Sequence, residues 1–478
     1  MSNLPFSIFA ALMALAAMAF LGRLNRGSWL APSAFAPLAW LGLALLPLIT
    51  APDFWVSPTG VWVIVLLVFC TQVGAYIGEG RQAPVKAPGE PWRKTRIEFR
   101  SFLATQLLRW CLIFSLISLL GTILLTFTGF EAYRLPFSAE GFLDLGRLLS
   151  VQRYDEIQDP FLIRLLRVWD FPAALFAGMA FPLISDRRKK MLTFVWLCPA
   201  LLNAAAVAAR AGAVLCLVAW LAGSLAAQVY VTRGTFRVFR RRRLLIGGIT
   251  LVSVVLFGLA IGVLRAGFER VHDYLRVWDA LRPGAFGYLA AFGRWYENYD
   301  PSDLGCGVNT LRGLFVLLRL HPRQLGFGLE GVNVGGILGT NIFTIFRGLI
   351  VDVSLPGSMI ASLGFGLFSG WAYMRSSQGQ SSYVAPLAAY YAVLLFSPVI
   401  CIFMFNSLLG AWILSWVFLV WVEWRYKALV LRESHAKMGV SGTPSGASNI
   451  SDFLLTGKGR RRVGGARLSW ISRAARRS

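Results

Sequence analysis

Charged residues are scarce in this chain of 478 residues, since only 15% are Asp, Glu, Lys or Arg while 56% are hydrophobic. The mean hydropathy is +0.61. A soluble chain carries about 25% charged residues. The composition therefore excludes a water-soluble globular protein, a disordered chain and a disulfide-rich secreted domain.

Several familiar chemical motifs are also missing. The three histidines, His272, His321 and His435, lie far apart in the chain, and no CxxC pair occurs among the six cysteines, so we predict no metal site. Neither a Walker A sequence nor a GxSxG sequence occurs. We therefore predict no cofactor of these classes and no serine hydrolase.

Apolar stretches long enough to cross a bilayer recur along the whole chain. They predict an all-α polytopic integral membrane protein with about 11 transmembrane helices and two long loops on one side. The predicted spans are 4–22, 27–50, 58–78, 110–130, 168–185, 191–209, 211–232, 244–264, 348–372, 383–403 and 406–424.

The basic residues indicate how these spans are oriented. Loops between successive spans must alternate between the two sides of the membrane. The loops assigned in this way to the inner side hold 32 Lys and Arg against 7 Asp and Glu, whereas the rest of the chain holds 15 against 16. This strong positive-inside bias places the N-terminus outside and the C-terminus in the cytoplasm. The net charge of +24 thus reflects topology and contact with anionic membrane lipids, and we predict no nucleic-acid binding.

The chain is predicted to have one membrane domain and a tail. Residues 1–424 form the transmembrane domain, with outer loops 131–167 and 265–347 packed over the helix ends. Apolar residues at helical spacing in the first loop predict a short helix on the membrane surface. The basic tail 425–478 contains a Gly-, Ser- and Thr-rich linker and is predicted to be disordered.

Arginine is the only basic residue type on the predicted outer side, where none of the seven lysines falls. The planar guanidinium binds phosphate through two parallel hydrogen bonds, so this bias favours a phosphate-bearing ligand. Pairing with the outer Asp and Glu residues explains most of these arginines individually. It does not explain the exclusion of Lys.

Arg210 interrupts about forty otherwise uncharged residues. An arginine at that place costs a few kcal/mol unless it reaches water or a partner. Two interpretations remain open for it. Arg210 either reaches water from a tight outer turn or belongs to an anion site above the helices.

One motif of the chain is similar to that of a known family. The motif is Gly339-Thr340-Asn341-Ile342-Phe343-Thr344, followed by Arg347, Asp352 and Gly357. It resembles the closing motif of Wzy-type oligosaccharide repeat-unit polymerases, also called O-antigen polymerases. Asp352-Val353-Ser354 stands where that motif has Asp-Phe-Gly. The stretch from Tyr288 to Leu311 also resembles the large outer loop of the family, and Arg210 sits where the family places an Arg between two consecutive spans. Arg153 lies in a segment that matches the family's earlier outer loop in position.

The resemblance implies a helical bundle of the GT-C type in the bacterial inner membrane, with the N-terminus in the periplasm. It implies a metal-independent glycosyltransferase that joins repeat units carried on undecaprenyl diphosphate at the periplasmic face. The growing chain would pass from its lipid diphosphate to a sugar hydroxyl of the next unit. A chain-length regulator and a flippase are the implied protein partners.

The expected site residues combine this resemblance with the outer arginines. We expect catalytic roles for Arg210, Arg347, Asp352, His272 and Asp273, with Asp279 and Glu297 as further candidates for the general base. Substrate contacts are expected from Arg153, Arg270, Arg276, Arg294, Tyr288, Asn341 and Thr344. Capping of a helix start explains Asn341 and Thr344 equally well.

Two other functions compete with polymerisation. An O-antigen ligase uses the same lipid carrier and carries an Arg-x-x-x-Leu element. Here Val214 stands four residues after Arg210, where that element has leucine, and the leucine follows one position later at Leu215. A non-catalytic transporter of polysaccharide or lipid-linked sugar predicts charged residues in mid-membrane, and these are scarce in the chain.

Overall fold

The computed structural model describes residues 4–80, 90–152, 160–207, 210–234, 282–300, 304–321, 331–334 and 337–440. They belong to two compact units, Met1–Glu423 and Trp424–Ser478. Of the second unit, residues 424–440 are described, and they are helical.

Helices make up most of the described chain. A short antiparallel hairpin of strands β1 (Val332–Val334) and β2 (Ile337–Thr340) is the exception to the all-α prediction. The helices are α1 (Leu4–Arg26), α2 (Pro32–Thr50), α3 (Pro58–Glu79), α4 (Glu90–Tyr133), α5 (Ala139–Gln152), α6 (Phe161–Arg167), α7 (Asp170–Ala180), α8 (Arg187–Leu192), α9 (Leu197–Ala206), α10 (Arg210–Thr232), α11 (Tyr288–Glu297), α12 (Arg312–Leu317), α13 (Ile345–Ser377), α14 (Val384–Phe396) and α15 (Asn406–Val440).

Seven helices in the described part of the chain are long and apolar enough to cross a membrane: α1, α2, α3, α4, α10, α13 and α15. Three other predicted spans contain the shorter helices α7, α9 and α14, and prolines explain why they are short. Pro182 follows α7, Pro199 lies in the first turn of α9, and Pro398 follows α14. The predicted span 244–264 lies outside the described residues, so the count of 11 stays a prediction.

One loop helix agrees with the prediction, and one boundary differs from it. The segment predicted as the first outer loop contains α5, as its apolar periodicity predicts. The last helix does not end near residue 424 but continues to Val440, so disorder does not begin at 425. The residues after 424 are mostly Ala, Leu, Lys, Arg and Glu, all of which favour a helix.

Glycines bring α3 and α13 into direct backbone contact. A Cβ atom at Gly74 would lie 1.9 Å from Leu363 O, and one at Gly78 would lie 2.0 Å from Leu367 O. Small residues of this kind let membrane helices approach closely. Because later residues of α3 meet later residues of α13, the two helices run parallel.

The parallel pair has two distinct ends. The site end is where α3 and α13 begin, beside Ser57 and Thr344, and the Glu79 end is where they finish. At the Glu79 end, Arg26 Nε donates to Glu79 Oε2 at 2.8 Å, and Ser33 donates to both oxygens of the same carboxylate from its backbone N–H at 2.9 Å and its hydroxyl at 3.0 Å. Glu79 is fully buried, so this ion pair ties α1, α2 and α3 together.

A break divides α13 into two helical parts. Val353 and Ser354 have non-helical backbone angles, and Ser354 has a φ of 62°, which is unusual for a residue other than glycine. Pro356 accounts for the break, because it lacks an N–H and its ring would clash with the carbonyl of Asp352 in a continuous helix. The first part, residues 345–352, therefore lies at its own angle at the site end.

Candidate functional site

The segment predicted as the second outer loop packs directly on the start of α3. A Cβ atom at Gly60 would lie 2.6 Å from Gly293 Cα, so the two glycines let α11 approach the backbone of α3. Ser57 Oγ donates to Glu297 Oε1 at 2.5 Å and closes the same contact. These contacts place α11 across the site end.

Two further contacts hold this segment on the end of α2. Arg282 forms an ion pair with Asp53, and its guanidinium lies 5.0 Å from the ring centre of Phe54. The hydroxyl of Tyr288 donates to Leu43 O, and Tyr288 is only 3% exposed. Tyr288 thus anchors α11 on α2, which differs from its predicted role in substrate binding.

The guanidinium of Arg347 lies close to two aromatic rings. Its central carbon is 3.9 Å from the ring centre of Phe343 and 5.7 Å from that of Trp295. Trp295 in turn lies 4.8 Å from the ring of Tyr299, and both aromatic residues are half-buried. Stacking restricts the guanidinium plane while its charge is retained at any physiological pH. The arrangement is a partly exposed cation bordered by aromatic faces.

Tyr299 connects this aromatic group to the break in α13. Burial, with the nearby Asp300 carboxylate, raises the pKa of the Tyr299 phenol, so its hydroxyl stays protonated. That hydroxyl donates to Ile350 O at 3.3 Å. Ile350 lies in the last turn of α13 before the break at Val353 and Ser354.

Thr344 occupies the residue before α13, as capping predicts, yet its side chain makes no cap hydrogen bond. Thr344 is 2% exposed, and its hydroxyl has no hydrogen-bond partner among the described residues. The N–H of Ile345 instead donates to Ser397 O at 2.8 Å. Asn341 is exposed in the approach to the helix. The two motif residues therefore lie at the start of the helix segment that carries Arg347.

The Asp352 carboxylate is fully occupied. Its Oδ1 accepts from Asn309 N and Asn309 Nδ2, both at 2.9 Å, and its Oδ2 accepts from Thr310 N at 2.8 Å and Thr310 Oγ1 at 2.7 Å. Asp352 is 1% exposed. A carboxylate has about four acceptor positions, and all are used here. These contacts favour a structural role for Asp352, and its predicted catalytic role stays a prediction.

The remaining predicted residues fall in different places. Arg294 is exposed on α11 and donates to Asn333 O in β1. Arg210 is the first residue of α10. The other predicted site residues lie outside the described ranges: Arg153, Arg270, His272, Asp273, Arg276 and Asp279.

Sequence reasoning did not identify the partners of Asp352. Asn309 and Thr310 appeared only as part of a resemblance to an outer loop, and Phe343 only as a letter of a motif. Pro356 was the residue that could have indicated them. A proline within an apolar span has no N–H, so the carbonyl four residues earlier needs a hydrogen-bond donor from another segment.

A second buried polar network lies elsewhere in the bundle. Ser118 donates to Asp170, Asn203 Nδ2 donates to Asp170 Oδ2 at 3.3 Å, and Arg167 Nη2 donates to Asn203 Oδ1 at 2.7 Å. Asp170 is 4% exposed. The network joins α4, α6, α7 and α9.

These features define the class of the protein: it is a helical membrane protein with apolar helices that are long enough to span a bilayer. Comparison with known proteins adds no narrower class, because no protein-family model, no curated protein and no solved structure matches the chain. The functional argument therefore rests on the residues of the site end.

Proposed function

We propose that this protein is a membrane glycosyltransferase that polymerises oligosaccharide repeat units carried on undecaprenyl diphosphate. The growing chain leaves its lipid diphosphate and joins a sugar hydroxyl of the acceptor unit. The observation that carries the proposal is the stacked guanidinium of Arg347 beside the half-buried rings of Trp295 and Tyr299. The motif resemblance around Asn341 and Thr344 supports it independently.

Arg347 matches the charge requirement of this reaction. Negative charge develops on the leaving diphosphate as the bond to the anomeric carbon breaks. A cation that is already oriented stabilises this charge without reorganisation at the moment of reaction. The contacts with Phe343 and Trp295 help to orient the guanidinium. We assign Arg210, Arg153, Arg270 and Arg276 as further arginines for phosphate or sugar contact.

The aromatic pair suits the sugar part of the substrate. Rings such as those of Trp295 and Tyr299 present flat apolar faces with polar tips, on which the C–H face of a sugar ring can pack. Both residues are half-buried, so part of each ring is accessible. Arg294 on the same helix is exposed and is a further candidate for contact with sugar hydroxyls.

The proton of the acceptor hydroxyl requires a base within hydrogen-bond reach. Since Asp352 is saturated by four donors, we assign this role to Glu297, His272 or Asp273. Of these, Glu297 is described, and it is exposed at the end of α11, where it accepts one hydrogen bond from Ser57. Its second oxygen is available for a substrate hydroxyl in this proposal.

The proposal includes a location and partners. The site end faces the periplasm of a bacterial inner membrane, the C-terminal tail is cytoplasmic, and a flippase and a chain-length regulator act with the protein. The parallel direction of α3 and α13 supports this topology, because the third and ninth predicted spans must run the same way.

A deletion strain tests the proposed function. We expect single repeat units to accumulate on the carrier lipid or to cap the lipid A core, with no ladder of longer chains on a gel. Complementation with the intact gene is expected to restore the ladder. Long chains left on the carrier lipid would instead identify a ligase, and an unchanged lipid pool and ladder would reject glycosyl transfer and favour a transporter.

A further inference from the structure

Three successive carbonyls just before the break in α13 accept hydrogen bonds from one segment outside the helix. Ile350 O accepts from Tyr299 Oη at 3.3 Å, Val351 O from Gly305 N at 2.9 Å, and Asp352 O from Cys306 N at 3.0 Å. In a continuous helix the first two carbonyls would accept from the N–H groups of residues 354 and 355, whereas Asp352 O would face Pro356, which has no N–H. We call residues 304–310 the splint, because this loop donates hydrogen bonds to two of these carbonyls.

The Asp352 side chain binds the other end of the splint. It accepts four hydrogen bonds from Asn309 and Thr310, at distances between 2.7 and 2.9 Å. Backbone and side chain of one residue therefore hold both ends of the loop. The fit is tight, since a Cβ atom at Gly305 would lie 2.5 Å from Asp352 Oδ1.

The helix segment 345–352 is thus fixed at both of its ends. Its first N–H donates to Ser397 O at 2.8 Å, and its last residue is bound by the splint. Arg347 lies within this segment, and a Cβ atom at the adjacent Gly348 would lie 3.3 Å from Asn309 O. The splint therefore contacts the segment one residue away from Arg347.

We propose that Asp352 is a positioning residue, which acts through the splint to hold the first part of α13 and thereby sets the place of Arg347. The inference rests on the proposed function only in taking Arg347 as the site cation. It assigns Asn309, Thr310 and Gly305 to the same task. Neither proton transfer nor direct substrate contact is assigned to Asp352, because its four acceptor positions are filled.

A cysteine reporter at position 347 tests the inference without any assay of activity. The full-length chain carries Arg347→Cys in a background where the exposed Cys198 and Cys306 are Ser, and the labelling rate with a water-soluble maleimide is measured in membranes. Adding Asp352→Ala is expected to raise this rate at least tenfold, because the released segment exposes position 347 more often. Leu135→Cys is the control reporter, since Leu135 is half-buried and packs in a separate apolar cluster.

Gly305→Ala keeps the test decisive if Asp352→Ala does not accumulate. Its added methyl group pushes the splint away from the carboxylate while every hydrogen-bonding group stays in the chain, so the rate at position 347 is again expected to rise. Gly364→Ala in the second part of α13 is the matched control, because a Cβ atom there meets nothing within 4 Å. An unchanged rate at position 347 would overturn the inference. An equal rise at position 135 would also overturn it, because it would mean general loosening.

Activity is measured separately, in the chain with native Arg347. If the proposed function is correct, Asp352→Ala and Gly305→Ala shorten or abolish polysaccharide chains, and Gly364→Ala does not. If the labelling changes occur but deletion of the gene leaves polysaccharide unchanged, the positioning role stands and the proposed function fails. The two failures are therefore distinguishable.

Discussion

At the scale of single residues, Arg347 differs from an ordinary surface arginine because its guanidinium lies over the ring of Phe343 and near that of Trp295. We expect Arg347→Ala to abolish the polysaccharide ladder in a complemented deletion strain. Arg347→Lys is expected to lose at least tenfold in polymerisation rate, because an ammonium group retains the charge but cannot stack or bind phosphate through a planar fork. The measurement is ladder intensity at equal protein level in the membrane.

Arg147→Ala is the matched control for these variants. Arg147 pairs with Asp144 at 3.1 Å on the exposed face of α5, and such surface pairs contribute about 0–1 kcal/mol to stability. A normal ladder is expected from it. A normal ladder from Arg347→Ala as well would remove Arg347 from the mechanism.

Glu79 is a residue whose importance is structural. It is fully buried and accepts hydrogen bonds from Arg26 and Ser33. Loss of one partner of a buried ion pair typically costs about 3–5 kcal/mol, because the other charge remains buried. We therefore expect Glu79→Ala to lower the free energy of unfolding in detergent by about 3 kcal/mol or more. A change below about 1 kcal/mol, the size expected for Arg147→Ala, would show that Arg26 finds another partner.

At the scale of helices, the contact between α3 and α13 depends on the absence of side chains. A Cβ atom at Gly366 would lie 2.0 Å from Thr71 O, so even alanine forces the backbones apart. Overpacking of this kind costs about 1–3 kcal/mol. We expect Gly366→Ala to lower the temperature of thermal unfolding in detergent.

Gly364 offers a control within the same helix. Because nothing lies within 4 Å of its added Cβ atom, Gly364→Ala is expected to leave the helix contact intact. Alanine also favours a helix by about 1 kcal/mol over glycine, so a small gain in stability is the expected result. Equal losses from the two variants would mean that the glycines do not mediate packing.

The sequence predicts helices better than it predicts their interruptions. Continuous apolar runs identified α3, α10 and the extent of α13, because a bilayer requires long apolar helices. The break at Val353 was not predicted, since the hydropathy of that span does not change there. Its cause is a single proline at 356, and its consequence depends on a loop about fifty residues earlier in the chain.

At the scale of the whole molecule, the predicted site stays a prediction. Sequence reasoning selected Arg347 because charge type and a short motif coincide there. It could not separate residues that face a ligand from residues that hold the fold. Tyr288 and Asp352 were both chosen by their chemistry, yet both are buried and bound to the chain itself. That distinction depends on tertiary contacts, which local patterns do not contain.

The orientation of the whole molecule gives the last prediction. Asn341, just before α13, and Gln378, just after it, are both exposed, and the proposed topology places them on opposite sides of the membrane. In a background where Cys198 and Cys306 are Ser, Asn341→Cys is expected to react in intact cells with a maleimide that crosses the outer but not the inner membrane. Gln378→Cys is expected to react only after the inner membrane is permeabilised. The reverse pattern would put Arg347 on the cytoplasmic side, where polymerisation on a periplasmic carrier could not occur.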